Sequence, residues 1–140
     1  MEVFELPEVA EILELDLAKA KNWSNGRTGL VIEPSVRKAS GTGSRNLFSL
    51  NDLYLFGVAQ AFSGAGFAAA AIGKLTPAVK PLLEKGVLQD AVWTIWRIEP
   101  GGDFQIKAGQ NKAPKGVISH TLEIGHLIGH IDANRRRHSK

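Results

Sequence analysis

The sequence predicts a mainly helical α+β fold, and three observations carry that prediction. Apolar residues recur at helical spacing in separate stretches up to Gly86. From Val92 a β-branched and aromatic run replaces that pattern, followed by a turn and a second run of the same kind. Between the early helices, a Gly-rich basic stretch, Gly41 to Arg45, leads straight into a capped amphipathic helix. The helical part ends at Gly86 and the character changes from Ala91, which divides the chain into residues 1–86, mainly helical, and residues 87–140, a β-hairpin plus a short helix expected to serve dimerisation or an effector.

Each element has its own warrant. Leu6, Val9, Ala10 and Leu13 stand at i, i+3, i+4 and i+7, one face of a helix, with Pro7 suited to its first turn. Glu8, Glu11 and Glu14 lie on the solvated side. Leu15-Asp16 breaks the pattern, and Asp16 is placed to cap a short second helix reaching about Trp23. Asn25-Gly26 and Gly29 are turn signals, and Leu30-Val31-Ile32 is a short β-prone run stopped by Pro34. Ser35 to Leu47 reads as a hairpin around Gly41 and Gly43. Ser49 and Asp52 form a capping box that opens a third helix, with Leu53, Phe56 and the Ala59–Phe62 region inward. Gly64-Ala65-Gly66 ends it. A fourth helix runs from Phe67 to about Lys85, and Pro77 and Pro81 predict a bend or an interruption.

In the second part, Val92 to Ile98 and Phe104 to Lys107 read as strands joined by the turn Pro100-Gly101-Gly102-Asp103. Val117 to about Glu123 is a candidate third strand. Ile124, Leu127, Ile128 and Ile131 then follow helical spacing into the tail Arg135-Arg136-Arg137, read as a disordered end that adds non-specific affinity for DNA. Trp93 and Trp96 are three apart on a strand and so face opposite ways: one core, the other covering a second copy of the chain or a ligand pocket, with the dimer surface favoured.

Composition excludes several classes. The chain has no cysteine, which rules out disulfide staples, thiolate metal sites and cysteine nucleophiles and suits a reducing compartment. It opens with acidic residues rather than a basic region and an apolar run, and no stretch reaches membrane-spanning length. The expected setting is therefore cytoplasmic, with no membrane partner. Gly41-Thr42-Gly43 lacks the Lys-Ser/Thr ending of a phosphate-binding P-loop. His126 and His130 stand at i, i+4, with Glu123 and His120 nearby, but surface histidines are the better reading than a metal pair. No catalytic constellation is visible; the reading is not an enzyme, with no cofactor and no metal.

Charge placement points elsewhere. The net charge of +3 is modest, but it is unevenly spread. Met1 to Asp16 holds only acids, whereas Leu17 to Leu50 holds Lys19, Lys21, Arg27, Arg37, Lys38 and Arg45 against the single acid Glu33. A first helix, a basic second helix and a basic hairpin, in that order, are the parts of a winged helix-turn-helix DNA reader. The second helix enters a groove and the hairpin grips the backbone beside it.

The residues Pro7-Glu8-Val9-Ala10-Glu11-Ile12-Leu13, then Trp23, Gly29-Leu30 and Pro34, then Arg45-Asn46-Leu47-Phe48-Ser49-Leu50-Asn51-Asp52-Leu53 and Gly64-Ala65-Gly66-Phe67 with Ile72, resemble MerR-type transcriptional regulators over about residues 6–86. The resemblance implies a sequence-specific DNA-binding regulator that bends or untwists operator double-stranded DNA as a homodimer, resetting promoter spacing for RNA polymerase. It implies that Arg45 contacts phosphate, that Lys19, Lys21 and Asn22 lie on the reader helix, and that Arg37 and Lys38 belong to the wing. Arg27 and Ser44 complete the candidate DNA-binding set. The chain departs from the family pattern in two places. Asn22 to Pro34 is longer and richer in Gly, and no long dimerising helix follows Gly86. The alternative is a winged-helix protein-interaction module, antitoxin-like or a regulatory partner, acting through the Val92–Ile106 hairpin without specific DNA binding; a small enzyme or ligand sensor built on the C-terminal part ranks last, since nothing there resembles a catalytic constellation.

Overall fold

The computed structural model describes residues 2–40, 45–97, 99, 101–109 and 114–138. Among them the chain is α+β, with five helices and one three-stranded sheet. The helices are α1 (Leu6–Leu13), α2 (Leu17–Asn25), α3 (Leu50–Gly64), α4 (Ala69–Glu84) and α5 (Ile124–His138); the strands are β1 (Trp93–Trp96), β2 (Gln105–Ala108) and β3 (Ser119–Leu122).

α1 buries Val9, Ala10, Ile12 and Leu13, as its spacing predicts. It stops where Glu14 turns left-handed (φ 54°) and the Leu15 amide reaches back to the Ala10 carbonyl at 2.8 Å. Asp16 then caps α2 by accepting from the Ala18 amide. α2 turns Ala20 and Trp23 inward and ends at Gly26, whose φ of 78° glycine adopts without penalty. Leu30-Val31-Ile32 forms no strand ladder. Leu30 and Ile32 are buried instead, and the Ile32 amide bonds the Trp23 carbonyl at 2.8 Å, stitching the segment to the end of α2.

The hairpin read over Ser35–Leu47 is present at its base. Arg37 and Leu47 form one antiparallel bridge, and Phe4 pairs with Phe48 beside it. Its Gly-rich tip, Gly41 to Ser44, lies outside the described residues. The Ser49–Asp52 capping box starts α3 as expected. α4, by contrast, is one unbroken helix through both prolines. Pro77 and Pro81 lie i, i+4 apart on its exposed face, where water can serve the freed carbonyls. Ile72, Leu75, Val79 and Leu83 hold the opposite face in the core.

The sheet order is β2-β1-β3, both pairs antiparallel, with Trp93 opposite Ala108 and Leu122 and Trp96 opposite Gln105 and Ser119. Central β1 is buried throughout. Both tryptophans are buried within the chain, so the reading of one as a surface for a second copy is corrected. Trp93 joins the main core, and Trp96 lines a recess at one end of the sheet. The core cluster draws on both halves of the chain, from Phe4 and Val9 to Ile124 and Ile131.

The basic tail is the clearest correction. Residues 135–138 are the last turn of α5, not a disordered end. Arg135 clamps Glu2 at 2.5 and 2.6 Å and Asp132 at 3.1 Å, and the Tyr54 hydroxyl donates to Asp132 at 2.7 Å. Burial, then that bond, raises the Tyr54 phenol far above its ordinary value. Burial works against the Arg135 charge, but bonds to Glu2 and Asp132 outweigh it and raise its pKa. Asn134 donates to the Ile12 carbonyl, and His138 sits 3.5 Å from Glu8 and Glu11. Through Glu2, Asp132 and Tyr54, Arg135 ties the end of α5 to the N-terminal segment and α3.

One close approach fixes how the α2–hairpin connection lies on α4. A Cβ on Gly73 would run into the Gly29 carbonyl oxygen and lie 3.3 Å from Leu30 Cα. Gly73→Ala should therefore destabilise by ~1–3 kcal/mol through overpacking. It should do so despite the ~1 kcal/mol that alanine ordinarily gains over glycine inside a helix. Gly129→Ala on α5, where a Cβ meets nothing within 4 Å, should show that gain instead. Denaturant unfolding of the two variants checks the pair; a stabilised Gly73→Ala would refute the contact.

Candidate nucleic-acid interface

α2 has a buried side and an open side. With Ala20 and Trp23 inward, Ala18, Lys21, Asn22 and Asn25 stand at i, i+3, i+4 and i+7 on the opposite face. Lys21 and Asn25 are exposed and Asn22 is half-buried. Lys19 lies at the flank, exposed, its Nζ over the Trp23 ring at 5.4 Å from the centre, a cation–π distance.

Across from this face stands the base of the hairpin. Between them runs an open groove of about 580 Å³, lined by Lys21, Ser24 and Asn25 of α2, by Val31, Glu33 and Pro34, and by Lys38 and Asn46 of the hairpin. Two cations from different elements thus face one concavity holding one carboxylate. Among the described residues no carboxylate lies within ion-pair distance of Lys19, Lys21, Arg27, Arg37 or Lys38.

The hairpin is held in shape by its own polar groups. Arg37 donates from Nε and Nη2 to the Arg45 carbonyl at 3.2 Å each, and the Ala39 amide donates to Asn46 Oδ1 at 2.7 Å. Asp52, 2% exposed, accepts from the Ser35 amide at 2.8 Å, the Ser35 hydroxyl at 2.6 Å and the Ser49 amide at 2.9 Å. One carboxylate therefore caps α3 and anchors the start of the hairpin.

Arg45 stands at the outer rim, next to a second shallow recess shared with Glu5, Leu6 and Ala39. Its Nη1 pairs with Glu5 Oε2 at 2.9 Å while its side chain stays 71% exposed. Such an exposed pair is worth only ~0–1 kcal/mol, so a phosphate can displace it cheaply.

Of the candidate residues, Lys21 and Lys38 line the groove, and Arg45 lines the neighbouring recess that shares Leu6 and Asn46 with it. Arg27 is exposed in the turn after α2, where its amide bonds Asn25 Oδ1 at 2.9 Å. Lys19 and Asn22 are on α2 but not in the groove lining, Arg37 is spent on the hairpin backbone, and Ser44 lies outside the described residues. Sequence reading missed Ser24, Asn25, Glu33 and Asn46. Asn25 carried a usable signal, standing four residues after Lys21 and three after Asn22.

The other chemistry weighed from sequence stays dispersed. His126 and His130 are exposed on α5, and no group of three or more His, Cys, Asp or Glu suited to a metal occurs among the described residues. No helix there is long and apolar enough to cross a membrane.

No protein-family model matches the chain, and no curated protein shows significant similarity to it.

Proposed function

We propose that this protein is a sequence-specific double-stranded-DNA-binding transcriptional regulator of the MerR-like winged helix-turn-helix class. α1 and α2 serve as the helix pair, α2 as the reader helix and the hairpin before α3 as the wing. The observation that carries this reading is the groove in which Lys21 of α2 and Lys38 of the hairpin face the same space without carboxylate partners. A major groove about 12 Å wide admits a helix such as α2. Lysines on both flanks then neutralise phosphates and release their counterions. Phosphate contacts position the protein, while the short polar and small side chains of the α2 face, Asn22, Asn25 and Ala18, address base edges. The reading extends to a homodimer on a near-palindromic operator, since two-fold proteins meet two-fold sites, and to an operator bent or untwisted for RNA polymerase.

The test is fluorescence anisotropy of labelled promoter-region fragments against scrambled DNA across a salt series. A salt-sensitive preference for one fragment supports the proposal. Equal weak binding to every fragment, or none, refutes it and favours a protein partner. Within that assay Arg45→Ala should weaken binding uniformly across sequences and reduce the salt slope by about one. An unchanged slope would remove Arg45 from the phosphate-contacting set.

A further inference from the structure

At one end of the sheet, away from the groove, a recess of about 390 Å³ is lined by Phe67, Trp96, Arg97, Phe104, Gly116, Val117, Ile118 and His120. That volume lies within the usual range for small-molecule sites. Four of the lining residues are aromatic rings. Phe67 packs edge-on against His120 at 4.9 Å and Phe104 at 6.3 Å. Among the described residues no carboxylate lines it, and the one full cation in the lining is Arg97, whose guanidinium lies 4.9 Å from the centre of the Phe104 ring. Among the described residues no acid pairs with Arg97. A guanidinium offers a planar fork of N–H donors, and that fork matches a carboxylate.

A second observation bears on the same place. Trp96 is 6% exposed, and its Nε1 is the one buried side-chain nitrogen or oxygen among the described residues with no hydrogen-bond partner. A buried donor left unpaired is destabilising, so an acceptor brought to it is favoured.

We propose that this recess binds a small planar organic anion, an aryl carboxylate in chemical class. The ring packs among Phe67, Phe104 and His120, and the carboxylate accepts from Arg97 and from Trp96 Nε1. The proposal does not rest on DNA binding.

The test is a titration of the full chain with benzoate, with neutral benzamide as the control. It follows the three indole N–H signals of Trp23, Trp93 and Trp96 by NMR, with the Trp96 signal assigned through Trp96→Phe. The expected result is a saturable shift of the Trp96 signal by benzoate and at least a tenfold weaker response to benzamide. Arg97→Gln should weaken benzoate binding at least tenfold, and Arg97→Lys less. Should Arg97→Gln fail to fold, Ile118→Glu serves in its place: Ile118 is 81% exposed, so the variant places an acid on the rim without touching the core. It too should weaken benzoate and spare benzamide. No saturable shift at millimolar benzoate, equal shifts of all three indoles, or equal affinity for benzoate and benzamide would each overturn the proposal.

Discussion

The double reversal Lys21→Glu, Lys38→Glu is expected to weaken DNA binding by about 10²-fold or more near 0.15 M salt and to lower the salt slope by about two. Each lysine is exposed, each lines the same groove, and among the described residues neither has an acidic partner to leave stranded. Folding should therefore change by less than about 0.5 kcal/mol, as for ordinary surface substitutions. The two single variants separate the roles: Lys38→Glu removes a hairpin contact alone, and Lys21→Glu removes one on the α2 face. If DNA lies across the groove, the two losses add in the double variant. If only one variant acts, the duplex lies along that wall alone. Anisotropy at several salt concentrations, with circular dichroism to confirm folding, reads both quantities. A double variant with unchanged affinity and slope would refute the proposed interface outright.

Glu33 in the same lining suggests why the groove is not uniformly positive. A duplex presents its negative charge along the backbone, at the edges of a reader groove, and its neutral base edges between them. Lysines on the two walls with a carboxylate and amides between fit that distribution better than a continuous cationic floor would. Glu-type acceptors can take a hydrogen bond from cytosine N4, and asparagine can pair with adenine.

Much of the fold was legible locally. α1, α2 and α3 announce themselves by apolar spacing together with Pro7, Asp16 and the Ser49–Asp52 box, because periodicity and capping are written within a few residues of each other. β1 and β2 were legible for the same reason. The misreadings are those in which distant packing decides. Arg135-Arg136-Arg137 read as a disordered end, but Arg135 meets Glu2, 133 positions away, a pairing no local pattern encodes. Of the bend or interruption expected at Pro77 and Pro81, the interruption is absent: α4 runs through both prolines because its apolar face is held in the core. Trp96 obeys strand alternation and points away from the Trp93 side, yet it is buried there as well. For the candidate site, charge identified which residues to consider but not where each points. Arg37 and Lys38 are adjacent, yet one bonds the hairpin backbone and the other lines the groove.

Asp52→Ala is expected to be among the most damaging single changes in the chain, at about 3 kcal/mol or more. The carboxylate accepts three hydrogen bonds, from the Ser35 amide, the Ser35 hydroxyl and the Ser49 amide, and is almost fully buried. Bonds to a charged group contribute about 1.5–3 kcal/mol each, and loss of a helix N-cap box costs on the order of 1 kcal/mol. Ser35 is exposed, so water repays part of its loss; the half-buried Ser49 amide has less access. Asp52→Asn keeps the shape and one acceptor oxygen but offers N–H where an acceptor is needed, so it should fall between Ala and the native chain. The same change should reach function, because Asp52 ties the start of the hairpin to α3 and so positions Lys38 against α2. In Asp52→Asn, under conditions where the protein remains folded, DNA affinity should drop although no DNA-facing charge has been touched. Denaturant unfolding gives the first quantity and anisotropy the second. An Asp52→Ala protein within about 0.5 kcal/mol of the native chain would show that the hairpin is held by its apolar contacts alone.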